Sequence, residues 1–420
     1  MAILGVIADD FTGAGDAASF LVKGGLSVLL YSGVPEGAAA ERAFADVQAV
    51  VVALKSRTQE TSAAVADSAA AARALLRGGA RQLYFKYCST FDSTPRGNIG
   101  PVADMLLELT ASPYSLLCPA LPVNGRVVKD GCLLVNGVPL DESPMKDHPL
   151  TPMWDADLTR LMAPQSRYPA VRVTAAELAR AAETPPARPC YLVPDYVSDE
   201  DGARIAAAAA ELPLLTGGSG LLEPLARIWA GRLAAARDVP ASAAPGPAIL
   251  LAGSCSRATL GQIACYQAAG GASRKLDPAA VLSGEETEER VWAFVRRCAA
   301  EGKAPLIYSS DTPERVKQYQ RLGAQRVADA LEGFTAALAR RAVAEGWTRI
   351  ISAGGETSGA VTKALGFSAY RIGESVAPGV PIMIPLGRPD VRLILKSGNF
   401  GQEDFFLRAL AMTAPKTEEG

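Results

Sequence analysis

Short β-branched runs alternate with Ala-rich helical stretches along nearly the whole chain, and few folds accommodate that pattern. In the first half the runs are Ile3–Ala8, Gly15–Lys23, Ser27–Tyr31, Ala49–Leu54, Thr61–Leu76, Gln82–Lys86, Ile99–Leu109 and Ser115–Cys118. Strands separated by helices return to the sheet in the same direction, so the alternation predicts an α/β fold with a largely parallel sheet and helices on its faces. Between Pro119 and Pro152 the pattern breaks into a Gly/Pro/Asn-rich insert, in which Val127–Val128 and Leu133–Val135 read as a hairpin. Alternation resumes through Ala175–Ala182, Tyr191–Val193, Ala203–Leu212 and Leu221–Ala236.

The stretch Val239–Pro247, with Pro240, Pro245 and Pro247 among small residues and no apolar period, is the best linker. A second alternation follows, including Ala248–Leu251, Leu260–Gln267, Glu286–Ala300, Leu306–Ser309, Pro313–Glu345, Arg349–Ser352, Val361–Leu365, Ile382–Pro385 and Leu393–Lys396. A chain of 420 residues exceeds the length at which one core keeps growing. The expected division is an N-terminal domain over 1–238, a linker over 239–247 and a C-terminal domain over 248–413, with a polar tail from Ala414 to Gly420.

Composition removes several function classes. With 42 Lys+Arg against 44 Asp+Glu the net charge is −2, and no basic stripe suggests nucleic acid. No apolar run reaches the roughly 20 residues of a spanning helix, and the first residues read as a strand and not as a signal peptide, so a soluble, cytoplasmic protein is expected. The 7 cysteines contain no C-x-x-C pair and argue against a disulfide framework. The sole histidine, His148, excludes two-histidine metal sites, and neither a G-x-S-x-G elbow, a Walker motif nor a G-x-G-x-x-G fingerprint occurs.

What remains is concentrated at strand ends. Asp9 and Asp10 directly follow the first strand, where an open parallel sheet binds ligands; the pair suits a polyol or a metal, while either one alone would serve as a helix cap. Arg57 ends another strand, and Lys86, Asp92 and Arg96 lie in or beside the hydroxyl-rich run after a third. A cationic group there suits a carboxylate substrate; solvated charge on loop tips is the plainer alternative. His148 reads more readily as a hydrogen-bonding residue than as a base. The run Thr216–Gly220 would serve equally for an anion or for close packing. In the second half, AILLAGSCSRAT, SAGGETSGAV and LILKSGNFGQED each carry an apolar run into small residues, the way a chain offers backbone N–H groups to phosphate. Glu356 beside the paired glycines would be unwelcome near phosphate without a cation such as Mg²⁺ between them.

IADDFTGAGDAA, KYCSTFDSTPRGNIGPV, CPALPVNGRVV with HPLTPM, GSCSRAT, SAGGETSGAV and KSGNFG, in this order, resemble the four-carbon acid sugar kinase family over nearly the whole chain. The resemblance implies two α/β domains with largely parallel sheets, facing each other across a cleft, the first holding an acid sugar and the second ATP. It implies ATP-dependent phosphorylation of a terminal hydroxyl to a 4-phosphate, with Mg²⁺. Within the family, the insert looks like that of members acting on 3-oxo-tetronates. Nucleotide-binding positions carry over onto Ser254, Ser256, Gly354, Gly355, Glu356, Thr357 and Gly398. Asp9 or Asp10 would then take the hydroxyl proton or orient the hydroxyl, and Arg57, Lys86, Asp92 and Arg96 would form the substrate site. The expected partners are the acid sugar and ATP, with a homodimer admissible. Within the family, phosphorylation of D-threonate or D-erythronate is the runner-up; from another class the rival is a non-catalytic acid-sugar sensor, and anion-type motifs in both halves speak against it.

Overall fold

The computed structural model describes residues 3–148, 151–233 and 240–415, and the chain divides into two compact units, Met1–Asp238 and Val239–Gly420. Val239 of the expected linker, Pro149 and Leu150 of the insert, and the tail from 416 onward lie outside the described residues.

The first unit contains β1 (Leu4–Ala8), β2 (Val28–Ser32), β3 (Ala49–Ala53), β4 (Gln82–Lys86), β5 (Ser115–Cys118), β6 (Arg126–Lys129), β7 (Cys132–Val135), β8 (Val138–Pro139), β9 (Ala170–Val173), β10 (Tyr191–Pro194) and β11 (Leu214–Gly217). Its main sheet has the order β2-β3-β1-β4-β11-β5-β10-β9, paired in parallel. Every residue of β1, β3 and β4 is buried, which is why these strands read as continuous apolar runs: helices cover both faces. From β1 the chain moves outward through β2 and back to β3, then crosses β1 to reach β4. The ends of β3, β1 and β4 therefore flank the point where connections diverge, the crevice in which open α/β sheets bind ligands. The insert forms the expected hairpin, with Val127 opposite Leu134, and adds β8 as a third strand.

The second unit contains β12 (Ala248–Ala252), β13 (Ser273–Lys275), β14 (Leu306–Tyr308), β15 (Arg349–Ala353), β16 (Ala369–Ala377), β17 (Val380–Pro385) and β18 (Arg392–Lys396). The order is β13-β14-β12-β15-β18-β17-β16. The pairings are parallel from β13 to β18, while β16 and β17 run antiparallel at the far side. Connections diverge again, here between β12 and β15. Leu250, Ile351, Ile382 and Ile394 of the sheet pack with Phe405 and Phe406 in one buried cluster. The stretch read as continuous over Pro313–Glu345 is two helices, Pro313–Gln320 and Ala324–Ala344, broken where Gly323 takes φ +101°. Among the described residues no helix is long and apolar enough to cross a membrane.

Candidate active site

At the end of β1 the chain turns directly into the helix Phe11–Gly24, with Asp10 as its N-cap accepting from the Gly13 N–H at 3.2 Å. Capping thus uses one carboxylate, and the other is held differently. Arg57 donates through Nε and Nη2 to the two oxygens of Asp9, each at 2.8 Å, and through Nη2 to Asp10 Oδ1 at 2.7 Å. Asp92 Oδ2 lies 3.9 Å from Nη1 of the same guanidinium, and Asp92 Oδ1 accepts from the Thr90 hydroxyl at 2.6 Å. The planar guanidinium matches the carboxylate fork of Asp9 and so fixes its plane.

The adjacent carboxylates differ in access: 4% of the Asp9 side chain is exposed against 31% for Asp10. Burial raises the Asp9 carboxyl above its ordinary value, against the pull of Arg57. Burial also opposes the Arg57 charge, but Asp9 and Asp10 outweigh it and hold the guanidinium firmly protonated. Arg57 is therefore occupied by acids of the chain itself, so Asp10 is the carboxylate that meets solvent.

Lys86 is buried at the end of β4, its ammonium donating to the Tyr87 carbonyl at 2.9 Å. Asp16, one turn into the first helix, is buried as well; Ser219 donates to its Oδ2, while Oδ1 has no partner among the described residues. Burial pushes the Asp16 carboxyl up, with the Lys86 charge opposing. Asp16 carries no signal in the sequence beyond standing in the Asp9 motif. Arg96 is exposed, and among the described residues its guanidinium makes no hydrogen bond or ion pair, so the structure leaves it apart from the acids that engage Arg57. Residues 216–220 are packed tightly. A Cβ on Gly217, Gly218 or Gly220 would lie 2.2–2.3 Å from the carbonyls of Cys118, Pro119 or Ala120, and Tyr84 and Tyr196 donate to the Gly218 and Gly220 carbonyls. Close packing accounts for these glycines. His148 Nδ1 faces the Thr151 N–H at 3.1 Å and the Thr151 hydroxyl at 2.8 Å, a local structural role.

In the second unit the three Gly/Ser turns lie side by side. Ala252, Ala353 and Lys396 are partners across β12, β15 and β18, so the turns beginning at Gly253, Gly354 and Ser397 share one rim. They are also stitched together: the Gly253 N–H donates to the Ala353 carbonyl at 3.0 Å and the Gly354 N–H to the Lys396 carbonyl at 2.9 Å. Ser256 caps the helix Arg257–Ala268 and donates to the Gly398 carbonyl at 2.5 Å, which also accepts from Thr259 Oγ1 at 3.0 Å. Gly354 stands at φ +131° and ψ 140° ahead of the helix Gly355–Leu365, a backbone region open essentially to glycine alone. Thr357 is buried against this turn, whereas Gly355 and Glu356 are exposed. Burial and then the Glu356 charge raise the Glu332 carboxyl.

A residue the sequence reading passed over sits beneath the rim. Lys396 is 1% exposed, and its ammonium donates to Thr259 Oγ1 at 2.9 Å and to the Ser397 and Gly398 carbonyls at 3.2 and 3.1 Å. Its signal was a lysine closing the apolar run Leu393–Leu395 of β18.

Each unit gathers polar groups at the point where its connections diverge, the place where open α/β sheets bind ligands. Residues 4–225 match the family model described as a sugar-binding N-terminal domain, and residues 249–406 match the nucleotide-binding C-terminal domain. The chain is 44% identical to a 3-oxo-tetronate kinase from Pseudomonas fluorescens, over 98% of this chain and 97% of that one. It is 42% identical to a 3-oxo-tetronate kinase from Brucella melitensis, over 97% and 94%. A crystal structure of Haemophilus influenzae protein HI1011 superposes with a TM-score of 0.83 at 39% identity, covering 97% of this chain and 99% of that one. One from Salmonella typhimurium LT2, described as a tRNA synthase, reaches 0.89 at 40% identity, with coverage of 97% and 99%. The chain belongs to the four-carbon acid sugar kinase family. It is thus an enzyme, a kinase with an alcohol as phosphoryl acceptor.

Proposed function

We propose that the protein phosphorylates the C4 hydroxyl of a 3-oxo-tetronate, with ATP as donor, giving 3-oxo-tetronate 4-phosphate and ADP. The observation that carries this reading is the near full-length identity of 44% to 3-oxo-tetronate kinases. The acid sugar binds at the ends of β3, β1 and β4. Asp10, capped onto the helix yet open to solvent, accepts the proton of the C4 hydroxyl as its oxygen forms the new bond to phosphorus. Arg57 holds Asp9 and Asp10 in position, and Asp9 keeps that guanidinium in plane. Arg96, whose guanidinium is uncommitted among the described residues, pairs with the substrate carboxylate, while Lys86 offsets the charge of the acids and Asp92 faces the remaining side of the Arg57 guanidinium.

The nucleotide phosphates meet the rim formed by Ser254, Ser256, Gly354, Gly355, Thr357 and Gly398. The fit is physical: Gly355 and Glu356 are exposed in the first turn of the helix that Gly354 opens, where backbone N–H groups have no intrahelical partner, and a Cβ on Gly355 would meet nothing within 4 Å. Among the described residues no group of three His, Cys, Asp or Glu side chains is arranged to hold a metal. Mg²⁺ would neutralise phosphate charge during transfer, and Glu356, exposed in the first turn of the helix Gly355–Leu365, is the carboxylate of the rim that would help hold it. The test is ADP release measured with ATP against a panel of 3-oxo-tetronates, D-threonate, D-erythronate and tartrate. A 3-oxo-tetronate should give the highest kcat/KM; faster turnover of a simple tetronate would overturn the substrate assignment, and no ATP-dependent turnover of any of them would overturn the reading.

A further inference from the structure

Lys396 is an ammonium sealed inside the second unit, and among the described residues no acid pairs with it. All three of its donors are taken by neutral oxygens, those of Thr259, Ser397 and Gly398, and on its remaining side lies the Phe405 ring, 5.7 Å to the centroid. The elements around it carry Arg257, Cys265 and Tyr266, Arg349, Glu356 and Lys363, and Arg408, with Glu403 and Asp404 just ahead of the last helix and Arg392 on its own strand. Among the described residues none of these forms an ion pair with it. Burying an unpaired cation is costly, and chains that retain one usually have a use for the charge. Here the charge lies under the Gly398 carbonyl, the point where the GSCSRAT and KSGNFG turns are tied together by Ser256 and Thr259.

We propose that Lys396 is a positioning residue for the nucleotide: it shapes the Gly398 turn from below, and the polyphosphate supplies the negative charge that its buried ammonium lacks. This rests on the nucleotide site proposed above. Two consequences follow from the placement. Replacing the ammonium with an apolar group of similar length should weaken a polyphosphate ligand and leave acid-sugar binding in the other unit untouched. Burial alone also brings the Lys396 amine down to about 8 in the free protein, and an anion arriving over it must raise that value again. ADP binding near pH 8 should then draw a proton from solution.

The experiment is calorimetry of ADP binding at pH 8 to 8.5 in buffers of different ionisation enthalpy, on the wild-type protein and on Lys396→Met, with acid-sugar binding and thermal melting as controls of folding. We expect wild type to take up about half a proton or more per ADP, and Lys396→Met to lose that uptake and bind ADP about tenfold or more weakly with acid-sugar affinity unchanged. Wild-type binding without proton uptake, or uptake that persists in Lys396→Met, overturns the role of Lys396 and leaves the nucleotide site standing. Failure of the folded wild type to bind ADP at all overturns the nucleotide reading itself, and this role with it. If the methionine variant does not fold, Lys396→Gln takes its place, and the wild-type proton count already decides.

Discussion

Gly354 and Gly355 are neighbours in one turn, yet a Cβ added at the two positions should act on the turn itself in different ways. Gly354 occupies φ +131° and ψ 140°, where an L-residue pays about 1–3 kcal/mol in backbone strain. A Cβ there would also stand 3.0 Å from both the Ser254 backbone nitrogen and Thr357 Oγ1, a contact that a backbone atom cannot relieve without moving the adjoining turn. Together these give about 2–3 kcal/mol against the native turn in Gly354→Ala. If the turn relaxes to shed that strain, its N–H groups no longer converge, and at about 1.4 kcal/mol per decade the ADP affinity should fall roughly 30- to 100-fold. At Gly355 a Cβ meets open space, so Gly355→Ala should fold and melt as wild type does, while the β-branched Gly355→Val should fold yet exclude phosphate from the backbone. The assay is ADP calorimetry on each variant, with acid-sugar binding as the control for the first unit. Gly354→Ala binding ADP within about threefold of wild type, with an unchanged melting temperature, would refute the reasoning.

Asp10→Asn should lower turnover by about 10²-fold or more with ADP affinity unchanged, because the missing base belongs to the other unit; near-normal steady-state rates would remove Asp10 from the chemistry. Arg57→Ala leaves the buried Asp9 carboxylate unpaired and should cost about 3–5 kcal/mol of stability, read as a lowered urea midpoint, and a midpoint within error of wild type would show that the ion pair contributes nothing. Because burial lowers the Lys396 amine from 10.5 to about 8, the unfolded chain binds the extra proton between those values, so stability gains from this group as pH rises through that window. Wild type should accordingly gain up to about 3 kcal/mol of stability relative to Lys396→Met as pH rises from about 8 to 10.5; a constant offset across that range would contradict the burial penalty.

How much of this was legible in the sequence depended on how local the information was. Gln82–Lys86, Ile99–Leu109 and Ser115–Cys118 end in the structure where their patterns end, since a buried parallel strand and an amphipathic helix each declare themselves within their own residues. Ala170–Val173 was missed because it is an edge strand with two exposed positions, so it lacks the continuous apolar run of its central neighbours. Ala369–Ala377 was missed for a related reason: Arg371, Gly373 and Glu374 interrupt it, and its partner β17 supplies the pairing that its own composition does not advertise.

The candidate sites divide the same way. That three Gly/Ser turns exist was readable, but that they share a rim is a property of strand order, which brings β12, β15 and β18 together across long stretches of chain. Side-chain partnership was the least legible of all. Arg57 read as a cation awaiting a substrate carboxylate, whereas two acids from the end of β1 already occupy it. A guanidinium so engaged cannot offer its fork to a second carboxylate without releasing Asp9 into a buried position, unpaired, and that release costs more than one surface-type contact with substrate returns. On the proposed reading the substrate's carboxylate is met elsewhere, and Arg96, exposed on the turn that follows β4 and with its guanidinium uncommitted among the described residues, is an arginine able to do so.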